Sequence, residues 1–132
     1  MIYIANFLHV TDQQEVLESE RRHGEFSLII EAGSHETAMQ KFKDRIIAFR
    51  ESSDFFQGDC RIFFTQLLEF DSFPNTEAIM LNYKSIVGDP FLPFIGCSIP
   101  TGESDACRIF DWKNNMPEID GENEFLFLEF KN

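Results

Sequence analysis

Residues Glu25 to Arg50 read as a strand that runs directly into an amphipathic helix, and this unit restricts the chain to folds in which a helix packs on a sheet. Phe26, Leu28 and Ile30 alternate with Ser27, Ile29 and Glu31, the period of two expected of an extended strand. Ala32-Gly33-Ser34 breaks the run, and Ser34 is placed to cap a helix by accepting a bond from a free backbone N–H. From there Ala38, Phe42, Ile46 and Phe49 recur three or four residues apart and so share one helical face. Glu36 in the first turn and Arg50 in the last complement the helix dipole.

On either side of this unit the chain offers further strands. Residues 2–10 alternate with apolar side chains on both faces, which predicts a strand covered on both sides. Asn6 is the polar exception there and requires a hydrogen-bond partner if buried. Residues 11–24 form a polar connection, with Thr11 and Gln14 spaced as a capping box; a short helical turn and a long hairpin loop are both compatible with it. Phe55 and Phe56 fall in the loop after the helix.

Residues 61–70 predict the next strand, with Ile62, Phe64, Leu68 and Phe70 on one face and Phe63, Thr65 and Leu67 on the other. Strand, helix and strand in that order permit a right-handed crossover, with or without an intervening strand from elsewhere. Residues 78–87 fit both periods, and weak helix formers such as Asn82 and Ser85 favour a strand. Further short strands are expected at 94–99, 106–112 and 125–130, with a loop at 113–123. The expectation is one α+β domain over residues 1–132: two layers, a largely antiparallel sheet of about five or six strands, and the helix at about 35–50 on one face. The expected core is Phe26, Leu28, Ile30, Phe42, Ile46, Phe49, Ile62, Phe64 and Leu68.

Two features of the composition bear on function. The 23 acidic and 11 basic side chains give a formal charge of −12, spread along the chain, which opposes binding to nucleic acid or to an anionic membrane. The 16 phenylalanines exceed what one helix on a small sheet needs, so part of them is expected at a contact with another protein or another copy. Cys60, Cys97 and Cys107 are odd in number and lack CxxC spacing, which fits a reducing, cytoplasmic setting without a disulfide framework or zinc site. The apolar start, Met1 to Val10, has no basic residues before it and reads as a strand. No apolar run approaches the roughly 20 residues of a membrane span.

The chemistry-bearing residue types do not assemble into a known motif. Ser34-His35-Glu36 contains relay residue types, but neighbours at a helix start diverge, and capping accounts for the serine. The histidines show no metal-ligand spacing, and Asp120 to Glu124 lacks the ligand set of a calcium loop, so no cofactor or metal is expected. Lys41, Lys43, Arg45 and Arg50 place a basic stripe on the helix, suited to gripping phosphate or an acidic peptide, or to complementing the helix C-terminus and pairing with Asp44 and Glu51. Phe91, Leu92, Phe94 and Ile95, stiffened by Pro90 and Pro93, form a candidate interaction surface or a plug for one end of the core. Three function classes follow. The first is a non-enzymatic, self-associating interaction module. The second is a small enzyme or ligand binder with a pocket beside residues 88–102, using His9 or Cys97. The third is an acidic mimic of nucleic acid that occupies a basic protein.

Overall fold

The structure, a computed structural model, describes residues 1–89, 108–111, 116–119 and 128–132. The chain divides into two compact units, Met1–Tyr83 and Lys84–Asn132.

The first unit is an α+β layer pair. Strand β1 (Ile2–Thr11) is followed by a 3-10 turn at Glu18–Glu20, strand β2 (Arg22–Glu31), helix α1 (His35–Ser52) and strand β3 (Cys60–Phe70). The sheet order is β2-β1-β3, with β1 antiparallel to both neighbours. Strands β2 and β3 therefore run parallel to each other, with β1 inserted between them beneath the helical crossover.

Local chemistry accounts for the joints. The Ser34 side chain accepts the Thr37 backbone N–H at 3.2 Å and starts α1. At its far end, Arg50 donates to the carbonyls of Phe56 and Gly58, which folds the following loop back beside the helix. Phe56 then lies 4.8 Å from the Phe26 ring and Phe55 6.2 Å from Phe49, so both loop aromatics return to the core. Arg45 lies over the Phe49 ring at 4.2 Å. Gly58 closes this turn with φ +79, and an added Cβ would meet Asp12 Oδ1 at 2.5 Å.

The core lies between α1 and one face of the sheet. Tyr3, Ala5 and Phe7 of β1 are buried against Ala32, Ala38 and Phe42, with Phe26, Leu28, Ile30, Ile46, Ile62 and Leu67 packed partly buried around them. The central strand thus supplies the most buried side chains, which the expected core omitted. Two expected core residues are corrected. Phe64 is 48% exposed, because α1 lies over the β1–β2 side and leaves β3 at the open margin. Leu68 points to the opposite face. The register shifts between Asn6 and Phe7, which pair with Gln66 and Phe64, so Thr65 is left over as a bulge. Ile62 and Phe64 face the helix before it, and Leu67 and Glu69 after it. The uniform alternation expected for 61–70 is broken at that residue.

Residues 71–87 form neither strand nor helix; the strand expected at 78–87 is absent, and Ile79, Met80, Leu81 and Tyr83 are exposed. An extended run without a ladder partner leaves its backbone groups to water, and alternation alone does not provide that partner. In the second unit, β4 (Arg108–Asp111) pairs antiparallel with β5 (Met116–Ile119). Strand β5 occupies part of the expected loop. Its Pro117 is tolerated because both members of a two-stranded ribbon are edges, so a missing N–H can face outward. Of the strand expected at 125–130, residues 128–130 carry none, and 125–127 lie outside the described residues, as does the expected strand at 94–99.

Candidate functional site

The sheet face away from α1 is covered by no helix among the described residues, although Ile2 at its end is buried. By register it carries Ile2, Ile4, Asn6, Leu8 and Val10 from β1, His23, Glu25, Ser27, Ile29 and Glu31 from β2, and Arg61, Phe63, Gln66, Leu68 and Phe70 from β3. A polar row crosses its middle. Ser27 donates its hydroxyl to Asn6 Oδ1 at 2.5 Å, and Asn6 Nδ2 donates to Gln66 Oε1 at 2.7 Å. The partner that Asn6 requires is therefore found on both neighbouring strands. Apolar side chains flank this row. Ile29 is 37% and Phe63 48% exposed, while Ile4, Leu8, Val10, Leu68 and Phe70 are partly covered.

The two margins of the sheet differ. Ala32 N–H donates to the Met1 carbonyl at 3.0 Å, in line with the β1–β2 register. In an antiparallel ladder hydrogen-bonded pairs alternate, so the backbone groups of Gly24, Phe26, Leu28 and Ile30 turn toward β1. Those of His23, Glu25, Ser27, Ile29 and Glu31 turn outward, and all five residues are exposed. This margin has no bulge and no proline over its ten residues. Along β3 the outward spacing is broken where Thr65 is skipped. Among the described residues no strand pairs with the outer margin of either β2 or β3.

His9 lies on the helix side, half-buried, with its ring 5.8 Å from Phe56 and 6.2 Å from Phe26. Gly24 stands opposite it, and an added Cβ would come within 2.7 Å of His9 Nε2, so this glycine makes room for the imidazole. Cys97 and the candidate surface Phe91, Leu92, Phe94 and Ile95 lie outside the described residues. An open depression of about 600 Å3 lies beside the β1–β2 connection and the start of β3, lined by Gln13, Gln14, Arg50, Asp59, Cys60 and Arg61 among others. His9 does not line it, and the Arg50 guanidinium is engaged with the Phe56 and Gly58 carbonyls.

His35 and Glu36 sit 3.0 Å apart, both exposed, while Ser34 is committed to Thr37. The three neighbours form a cap and a surface pair, not a relay. Tyr3 donates its hydroxyl to Glu69 Oε1 at 3.0 Å, and burial, then this bond and the charges of Glu69 and Glu36, push its phenol above the ordinary value of 10.0. Among the described residues no group of three or more His, Cys, Asp or Glu side chains is placed to share a metal ion, and no helix is long and apolar enough to cross a membrane. Comparison of the chain with protein-family models, with curated proteins and with solved structures gives no match in any of the three.

Proposed function

We propose that the chain is a non-enzymatic protein-interaction module that self-associates. The observation that carries this reading is a sheet with apolar side chains on both faces, of which α1 packs on one. Ile29 and Phe63 on the second face, and Phe64 at the β3 margin, hold ring and aliphatic surface in contact with water. Ile29 stands beside Ile4 and Phe63 beside Leu8, so each extends an apolar group on its own side of the polar row, a surface suited to a contact. The partner is a protein, here a second copy; the charge of −12 disfavours nucleic acid and anionic membranes and makes association of copies stronger at higher salt. The further strands of a single-chain sheet of about five or six belong to the same proposal, since residues 1–83 supply three. Cytoplasmic placement is part of it too, from the odd number of cysteines without CxxC spacing.

Sedimentation velocity over a concentration series tests the reading. Mass action predicts a shift from one copy to two as the protein is concentrated. A single copy at every concentration, with nothing retained on an affinity column carrying the same chain, would refute it.

A further inference from the structure

The geometry points to the outer margin of β2 as the self-association surface: two copies pair β2 with β2 antiparallel, about a two-fold axis through Ser27. This rests on the self-association reading above and places its interface at β2, where Ile29 joins the junction while Phe63 and Phe64 of β3 stay at the outer margins. Long edge strands with free backbone groups template pairing with another chain, and proteins that avoid this blunt such edges with bulges, prolines or charged side chains, lysine above all. The β2 margin has no bulge, proline or lysine and carries its charges at Arg22, Glu25 and Glu31, whereas the β3 margin is interrupted at Thr65.

Direction and register follow from side chains and backbone together. A two-fold through Ser27 sets its backbone against the same residue of the partner, Glu25 against Ile29, and His23 against Glu31, so every outward group from 23 to 31 is paired. The helix-side faces then coincide, placing Phe26 beside Leu28 and Gly24 beside Ile30 across the junction. The ends are complementary, because the imidazole N–H of His23 meets the carboxylate of Glu31 at both ends of the junction. Glu25 keeps its carboxylate toward solvent opposite Ile29. Parallel pairing would instead set Glu31 beside Glu31 and lose this match. The product is one continuous sheet with twice the three strands of a single copy, in the order β3-β1-β2-β2-β1-β3. Isologous pairing of this kind is the commonest form of closed dimer.

The test uses the full chain and charge exchange. His23→Glu sets like charges together at both ends of the junction and is expected to weaken the dimer about tenfold. Adding Glu31→Lys to that variant is expected to restore the dissociation constant to within about threefold of the original. Within one copy residues 23 and 31 lie at opposite ends of β2, roughly 27 Å apart at strand spacing, so restoration can arise only between copies. Ser27→Pro removes the central outward N–H and is expected to weaken the dimer at least about tenfold. Because Ser27 also bonds Asn6, the charge exchange stands as the independent check. Hydrogen exchange gives a second readout: amides of His23, Glu25, Ser27, Ile29 and Glu31 slow as copies associate, while those of Phe26 and Leu28 are slow throughout. A dimer indifferent to His23→Glu and to Ser27→Pro, or one broken instead by Arg61→Glu on β3, overturns the β2 junction and leaves self-association standing. A chain that stays single at all concentrations overturns both.

Discussion

On one face of the β2-β1-β3 sheet, Tyr3, Ala5 and Phe7 are closed over by α1, whereas on the other Ile29 and Phe63 stay partly open beside a row of hydrogen-bonded polar groups. The residue types do not account for this difference, since Ile4, Leu8 and Leu68 are as apolar as the side chains that are buried. The position of the helix decides it. A single α1 over β1 and β2 removes one face from water and leaves the other with whatever its own neighbours cover. The second face differs in kind as well. Its middle is held by directional bonds between Ser27, Asn6 and Gln66, which fix the register of three strands at one level.

This contrast is broken or sharpened by substitutions on each side. Phe7→Ala removes a buried ring that contacts Phe26 and Phe42 and should cost about 3–5 kcal/mol, read from the urea midpoint. A loss below about 1 kcal/mol would mean that the covered face is not the core. Asn6→Ala strips the polar row of its centre and leaves Gln66 and Ser27 to find other partners; about 1–2 kcal/mol is expected, with raised exchange across β1.

Tyr3→Phe deletes one bond at the helix side and is expected to lower the urea midpoint slightly at neutral pH. The pH dependence has a definite sign. Because the folded phenol titrates above the ordinary value, its contribution is complete below about pH 10 and is lost as pH rises through the raised value. Ultraviolet titration should show a phenol that ionises late, and Tyr3→Phe should remove it. The smallest effect belongs to the open face. Ile29→Ser, placed in the His23→Glu background at a concentration low enough to keep the copies apart, should change stability by no more than about 0.5 kcal/mol. A loss like that of Phe7→Ala would erase the distinction between the faces.

The unit from Glu25 to Arg50 was legible because each local signal agreed: alternation in β2, a serine cap, and helical spacing of Ala38, Phe42 and Phe49. The extent of β2 was less so. It begins at Arg22, since polar residues at a solvent-facing margin carry no alternation to read. The primacy of Tyr3, Ala5 and Phe7 was hidden because a strand with apolar residues on both faces does not say which side the helix will take. The strand order was left open by the sequence, and it follows from pairings distant along the chain. The candidate margin of β2 had a faint signal, an uninterrupted strand pattern with basic character at its start and Glu31 at its end. Its significance depends on which strand lies outermost, and periodicity does not report that. Ser34-His35-Glu36 was correctly read as a cap, whereas residues 78–87 show that a pattern fit for pairing does not create a neighbour to pair with.

The supernumerary Thr65, anchored by its hydroxyl to the Asn6 carbonyl at 2.9 Å, works as a half-period phase shifter. Upstream of it even-numbered residues look toward α1, downstream odd-numbered ones do. Excising this one residue would join Phe64 directly to Gln66, the partners of Phe7 and Asn6, and would leave every other side chain of β3 on the face it already occupies. A one-residue deletion at Thr65 would therefore straighten the ladder and cost the Thr65 bond to the Asn6 carbonyl, whereas a deletion that forces Thr65 into the ladder would turn one half of β3 to the opposite face.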